Sequence, residues 1–191
     1  MDAELLYIST DGLHKIAGNL YEVKDSDDIT NLTSQRRTEL RKERNPMRQK
    51  AINAVDETEM VVFAPTNGTK HTINVFTDVD CPYCAKFHQE VPALNEAGIK
   101  VRYLAFPRAG AGSATYNTMV SVWCAKDRQQ AMTDAKAGHE IEAAECNHPV
   151  DKQYDLGQHI GITGTPALVL SNGKLIPGYM PASELISLLD E

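Results

Sequence analysis

The sequence predicts an α/β sandwich with a helical insertion in its second half, and three observations support this. Strand and helix patterns alternate over most of the chain after residue 60, as they do when a crossover helix joins parallel strands. A Cys-Pro-Tyr-Cys segment ends one strand pattern and opens a helical one. A Gly-Thr-Pro segment stands directly before a later strand pattern. At 191 residues the chain is long enough to bury a sizeable core.

The first part of the chain, residues 1–24, predicts a β-hairpin. Asp11-Gly12 lies between two segments rich in apolar residues, which is a good signal for a tight turn between strands. An isolated two-stranded hairpin is marginal in water. We therefore expect this hairpin to be a fragment of a larger sheet.

Residues 25–57 predict a helical and basic linker. From Asp28 to Val55 the residues are polar and favour helix, and Asn45-Pro46 suits an N-cap followed by a first helical residue. Residues 36–50 contain seven Arg or Lys and two Glu, in a chain whose formal net charge is −7. A charged, solvated face is one interpretation of this stretch, and binding to an anionic surface is the other. The acidic remainder argues against binding to nucleic acid.

Residues 58–191 predict a single domain that begins with strand, helix and strand. The segments "MVVFAP", "HTINVFTD" and "IKVRYLAF" read as strands. The residues from Cys81 to Ala97 read as one helix, which Gly98 ends.

The second half of this domain predicts a helical insertion at about 110–160, then a hairpin and a last helix. Ser113 begins the insertion, in which Met119 and Trp123 are expected to be core residues. "PALVLS" and "KLIPGY" flank an Asn172-Gly173 turn, and Ser183 is expected to cap the final helix. This order of elements fits a thioredoxin fold.

The Cys81-Pro82-Tyr83-Cys84 segment has the features of a redox dithiol. The start of a helix offers unpaired N–H groups and the positive end of the helix dipole, which favour a thiolate. We expect Cys81 to be exposed there and to act as the nucleophile, and Cys84, one turn deeper, to resolve the mixed disulfide. Pro82 suits the first turn because its missing N–H would be unpaired anyway.

Two alternatives remain open for the residues around this segment. A zinc site would need further ligands, of which His88 is the nearest candidate, and we expect no metal and no cofactor. Asp78 and Asp80 either tune the thiolate or only solvate the strand end. We expect the second.

Gly164-Thr165-Pro166 is the expected companion of the dithiol. A cis proline at Pro166 would bring its loop beside the sulfur atoms and leave the flanking backbone able to pair with a bound peptide. An ordinary trans turn is the alternative. Of the other two cysteines, a bridge between Cys124 and Cys146 would stabilise the fold by about 3 kcal/mol. One catalytic pair and one structural pair would indicate an oxidising compartment.

Taken together, these segments resemble the bacterial periplasmic disulfide isomerases of the DsbC and DsbG family. The resemblance is carried by "LYISTDGLHKIAGNLYEV", "HTINVFTDVDCPYC", "GIKVRYLAFPRAG", "VWCAKD" and "GITGTPALVLSNGKLIPGYMP", in the family order. It implies a thioredoxin-like catalytic domain at 58–191, a helical linker and part of an amino-terminal dimerisation sheet. It also implies catalytic roles for Cys81, Cys84, Thr165 and Pro166, and a structural disulfide between Cys124 and Cys146.

The resemblance further implies substrates, partners and location. Pro82, Tyr83, Gly164 and Thr165 are expected to contact substrates, which would be unfolded or misoxidised periplasmic proteins. A membrane thiol reductase of the DsbD type and a homodimer are the implied partners. A net dithiol oxidase and a chaperone-like module are the alternative functions.

Two features of this chain differ from the family pattern. Pro82 replaces the usual Gly between the cysteines, which leaves the redox poise open. The hairpin holds only the last strands of the dimerisation sheet, as if the chain began within it.

The ends of the chain bear on its location. No apolar run approaches the about 18 residues that a membrane span needs. The first residues, "MDAELLYIST", do not read as a signal peptide, so export to the periplasm would require that its signal has been removed.

Overall fold

A computed structural model of the protein describes residues 5–25 and 28–190. Residues 1–4, 26–27 and 191 belong to the predicted hairpin, linker and final domain, and they lie outside the described residues.

Two antiparallel strand pairs precede the first helix. β1 (Leu6–Ile8) pairs with β2 (Lys15–Ala17), which confirms the predicted hairpin around the Asp11-Gly12 turn. β3 (Tyr21–Asp25) pairs with β4 (Asp28–Asn31), so the prediction that helix begins at Asp28 is wrong. The backbone hydrogen bonds between its strands hold this second pair together. β3 buries no apolar face, because all five of its residues are exposed.

Two helices form the predicted linker. α1 (Leu32–Glu43) is capped by the side chain of Asn31. α2 (Asn45–Asn53) begins at Asn45, one residue before Pro46, the predicted first helical residue. The expectation of a solvated linker is wrong for α2. Its Ile52 is only 2% exposed and packs in an apolar cluster with Met60 and Phe76 of the following domain.

A five-stranded sheet forms the centre of the main domain. Its strands are β5 (Val61–Phe63), β6 (His71–Thr77), β7 (Ile99–Ala105), β8 (Ala167–Leu170) and β9 (Leu175–Pro177). Their order in the sheet is β5-β7-β6-β8-β9. β6 and β7 are parallel, and the other neighbours are antiparallel. The three predicted strands and the predicted hairpin are therefore confirmed.

Six helices complete the described part of the domain, and an apolar core lies on each face of the sheet. They are α3 (Pro82–Gln89), α4 (Val91–Glu96), α5 (Ala114–Cys124), α6 (Arg128–Lys136), α7 (Val150–His159) and α8 (Ala182–Asp190). Met119 and Trp123 are fully buried, as predicted, and the indole N–H of Trp123 donates to the Glu59 carbonyl at 2.9 Å. No helix in the described part of the chain has the length and apolarity that a membrane crossing requires.

Two helix boundaries differ from the prediction. The expected single helix is divided into α3 and α4 at Glu90, because Pro92 has no N–H to continue the hydrogen-bond ladder and its ring would clash with the preceding turn. Ser183 is not the cap of α8, which begins at Ala182. The backbone N–H of Ala182 instead donates to a carboxylate oxygen of Glu90.

Candidate redox site

Cys81 lies at the end of the loop after β6 and caps α3. Its Sγ accepts a hydrogen bond from the backbone N–H of Cys84 at 3.4 Å, so the sulfur occupies the position where the helix offers unpaired donors. The two cysteines are free thiols. Pro82 is in the first turn of the helix, as the sequence predicts.

The Thr165-Pro166 peptide bond is cis, and its loop covers the dithiol. The Cys81 thiol lies 3.2 Å from the carbonyl oxygen of Thr165. Cys81 is only 2% exposed and Cys84 is fully buried. The expectation that Cys81 is exposed is therefore wrong, since the loop shields the sulfur that the helix start alone would present to solvent.

The surroundings of the two sulfur atoms move their pKa values in opposite directions. Burial raises the pKa of Cys81, but hydrogen bonds with Thr165 and Cys84 and the positive charge of Arg108 outweigh it, so the pKa lies below that of an ordinary thiol. Burial raises the pKa of Cys84, and the charge of Lys136 offsets only part of that effect. Cys81 is thus the sulfur that ionises more readily.

Asp78 and Arg108 form an ion pair directly below the dithiol loop. The Asp78 carboxylate is 2% exposed and accepts hydrogen bonds from the Arg108 backbone N–H at 2.8 Å and from its Nε at 3.0 Å. The expectation that Asp78 only solvates the strand end is wrong. Sequence patterns did not indicate Arg108, because it follows β7 and reaches the site only through the parallel pairing of β7 with β6.

A buried polar cluster lies behind Cys84, and sequence reasoning did not find its lysine. Lys136 is 8% exposed, and its Nζ donates to the Thr77 hydroxyl at 2.7 Å and to the Asp78 carbonyl at 2.6 Å. Burial lowers the pKa of Lys136 to about 8, although the nearby Cys84 and Asp78 counteract this. A helical pattern in the insertion contained no signal for a buried cation.

His88, the zinc-ligand candidate, belongs to the same buried region. Its Nδ1 lies 3.0 Å from the Tyr103 hydroxyl and its Nε2 lies 3.0 Å from the Thr133 hydroxyl. Burial and the charge of Lys136 lower the pKa of His88 to about 4. The neutral ring is therefore a hydrogen-bonded core residue, and both of its nitrogens are occupied by hydroxyl groups.

Tyr83 forms the exposed rim of the site. Its side chain is 63% exposed, and its ring centroid lies 6.4 Å from that of Tyr179. The Nζ of Lys86 lies over the Tyr179 ring, 4.4 Å from the ring centroid. An exposed tyrosine beside a buried dithiol offers an apolar contact for a peptide.

A disulfide joins Cys124 to Cys146, with a Cα–Cα distance of 5.6 Å. It links the end of α5 to the irregular segment between α6 and α7. The bridge closes a loop within the helical insertion.

The fold and this site together define a thiol–disulfide exchange protein with a thioredoxin fold. Comparison with known proteins agrees. A family model described as a thioredoxin-like domain matches residues 57–191. The thiol:disulfide interchange protein DsbC of Escherichia coli K12 is 42% identical over 187 residues, which cover 98% of this chain and 73% of that protein. DsbC of Haemophilus influenzae is 35% identical over 190 residues and 77% of its length.

The solved structures include a similar disulfide interchange protein from Neisseria gonorrhoeae. It has a TM-score of 0.64 and 28% identity, and the match covers 71% of this chain and 96% of that one. The chain belongs to the DsbC family of thiol:disulfide interchange proteins. It is a thiol–disulfide exchange enzyme of the isomerase type, and the predictions of family, fold class and enzyme activity are confirmed.

Proposed function

We propose that Cys81 is the nucleophile in the isomerisation of misoxidised periplasmic proteins. The observation that carries this assignment is the position of its sulfur, at the first turn of α3 and 3.2 Å from the cis-proline loop. The lowered pKa of Cys81 favours the thiolate, which is the form that attacks a disulfide. Cys84, buried and with a raised pKa, is the resolving cysteine.

The exchange begins when the Cys81 thiolate attacks one sulfur of a client disulfide. The client S–S bond breaks, a mixed disulfide with Cys81 forms, and the released client thiolate takes up a proton. A second client thiolate can then attack the mixed disulfide, which returns Cys81 as a thiolate and leaves a rearranged client. If instead Cys84 loses its proton and attacks Cys81, the client leaves reduced and the enzyme holds a Cys81–Cys84 disulfide.

The second outcome consumes the enzyme's reducing equivalents, so a further reductant must restore the dithiol. A membrane thiol reductase of the DsbD type is the proposed donor. The loop of Gly164, Thr165 and cis Pro166, with Pro82 and Tyr83 opposite, is the proposed client-binding surface. An extended client segment would pair with the backbone beside Thr165 and contact the exposed Tyr83 ring.

A homodimer is the proposed assembly, and the exposed apolar residues of the two strand pairs support it. Eight large apolar side chains there are at least 39% exposed: Leu6, Ile8, Leu13, Ile16, Leu20, Tyr21, Val23 and Ile29. Exposed apolar side chains in this number are typical of an interaction site. Light scattering should give the mass of two chains, and a monomer at micromolar concentration would refute this assembly.

Trapping experiments test the cysteine assignment. A Cys84→Ala variant should accumulate mixed disulfides with scrambled ribonuclease, and a Cys81→Ala variant should accumulate none. With limiting iodoacetamide, peptide mapping of the reduced protein should find label on Cys81 before Cys84. Preferential labelling of Cys84, or trapping by the Cys81→Ala variant, would reverse the proposed roles.

A further inference from the structure

A basic cavity of about 590 Å³ lies between the linker helices and the main domain. We call it the basic pocket. Six cationic residues line it, namely Arg37, Arg41, Lys42, Arg44, Arg48 and Lys174. Among the described residues that line it, none is Asp or Glu. Cavities of this size hold ligands as large as a peptide side chain or a small organic molecule.

Arg48 is a buried cation at the base of this pocket, and it has no carboxylate partner among the described residues. It is 3% exposed, and its guanidinium donates to the Ile160 carbonyl at 2.9 Å, to the Arg41 carbonyl at 3.3 Å and to the Asn45 amide oxygen at 3.3 Å. All three acceptors are neutral. Buried charges are normally paired with an opposite charge, and the described residues give the Arg48 guanidinium only these neutral acceptors.

A second guanidinium approaches the same point. A β-carbon at Gly161 would lie 3.9 Å from Nη1 of Arg44 and 3.9 Å from Nη2 of Arg48. The two cations therefore flank a glycine that leaves space between them and the backbone. Two guanidinium groups around an open space fit the paired oxygens of a carboxylate or another oxyanion.

The basic pocket is held open by contacts between the linker and the domain. Gln49 donates to the Ser171 carbonyl at 2.8 Å. The carbonyl of Asn45 lies so close to Gly173 that a β-carbon at Gly173 would be 1.9 Å from it. The pocket is thus a fixed feature of the folded chain, which lowers the ordering cost of binding a ligand.

The basic pocket adjoins the cis-proline loop. A smaller cavity along Gly164, Thr165 and Pro166 shares four lining residues with it: Gly161, Thr163, Leu175 and Pro177. A client segment that lies along this loop opposite Cys81 would continue toward the basic pocket. Side chains a few residues from the reacting client cysteine can therefore reach the Arg44 and Arg48 guanidinium groups.

We propose that the basic pocket binds Asp or Glu side chains of the client and so favours clients with an acidic segment beside the reacting cysteine. The proposal rests on the function proposed for Cys81 and the cis-proline loop. Continuity with the client groove favours the client's own carboxylates over a free oxyanion. The net charge of −7 would by itself repel acidic clients. The predicted preference for acidic clients is therefore opposite to the effect of the net charge.

Exchange kinetics with matched peptides test this. Three peptide disulfides share one core and carry Glu, Gln or Lys a few residues from the cysteine. The rate of their reaction with the reduced protein is measured at low and high salt. The Glu peptide should react roughly 2- to 5-fold faster than the Gln peptide at low salt, and the advantage should shrink at high salt. The Lys peptide should be slowest.

Two variants locate the effect. Arg44→Gln should remove most of the advantage of the Glu peptide over the Gln peptide. Arg36→Gln is the matched control, because it removes one positive charge from the same linker at a residue outside the pocket that pairs with Glu39 and Glu43. The control should retain the wild-type preference.

The possible results separate this inference from the proposed function. Normal reaction with the Gln peptide but no preference for Glu would overturn the acidic-client proposal alone. No reaction with any peptide would overturn the role of Cys81. If inorganic phosphate raises the unfolding midpoint and the Glu preference is absent, the pocket is a site for free oxyanions and the proposal is wrong.

Discussion

Replacing the buried Lys136 by Met should change how the stability of the protein depends on pH. Burial lowers the pKa of Lys136 to about 8, so the folded protein binds this proton less tightly than the unfolded chain does. Below pH 8 the charged lysine costs stability, and the cost disappears as the pH rises toward the unfolded pKa of 10.5. A pKa lowered by this amount costs about 3 kcal/mol in the free energy of unfolding at neutral pH.

The variant should therefore lose the pH dependence that the wild-type chain has. Between pH 7 and pH 10, the free energy of unfolding of the wild type should rise by about 2.5 kcal/mol relative to that of Lys136→Met. At neutral pH, the substitution removes the cost of the buried charge. It also removes the hydrogen bonds to Thr77 and Asp78, and their loss offsets this gain. The slope of the difference with pH, rather than its absolute value, reports the buried charge.

Urea denaturation at several pH values measures this slope. Both chains should carry Cys81→Ser and Cys84→Ser, so that no active-site thiolate titrates in the same range. Lys152→Met, which removes an exposed lysine of α7, controls for the loss of one positive charge. A wild-type minus Lys136→Met difference that is constant from pH 7 to pH 10 would refute the reasoning.

Further predictions concern the core. Gly157→Ala should destabilise the protein by about 1–3 kcal/mol despite the better helix propensity of Ala. The new β-carbon would lie 2.6 Å from a ring carbon of Phe106. An unchanged or higher unfolding temperature would contradict the overpacking. His88 should make the protein acid-sensitive, because its pKa of about 4 is below that of the unfolded chain and stability is lost as pH falls from 6.5 toward 4. Between pH 7 and pH 5 the wild type should lose about 2 kcal/mol relative to His88→Gln in urea denaturation, and parallel curves would show that His88 does not cause the loss.

Local patterns predicted the parts of the molecule that are encoded within a few residues. The Cys-Pro-Tyr-Cys segment contains the nucleophile position, the proline of the first helical turn and the resolving cysteine, all within one turn of α3. The strands of the central sheet are apolar runs, because both faces of the sheet are covered. These features could be read from the sequence without knowing the pairing of the strands.

The residues that set the electrostatics of the site could not be found in this way. Arg108 and Lys136 are 30 and 58 residues from Asp78 in sequence, and both meet it only after the sheet and the insertion have packed. The shielding of Cys81 depends on Thr165, which is 84 residues away. The strand pair β3–β4 was missed for another reason. Its residues bury little surface, so the period-two apolar signal of a strand is weak there.

The separation between Cys81 and Thr165 also affects the chain while it is being made. Cys81 and Cys84 leave the ribosome well before Arg108 and Thr165, the residues that shift the ionisation and shield the sulfur. Until those later segments have folded onto β6, both thiols belong to an open chain and have no helix cap, no cation and no cover. The reactivity of the dithiol is therefore acquired on folding, and an immature copy is a substrate of thiol exchange before it becomes a catalyst.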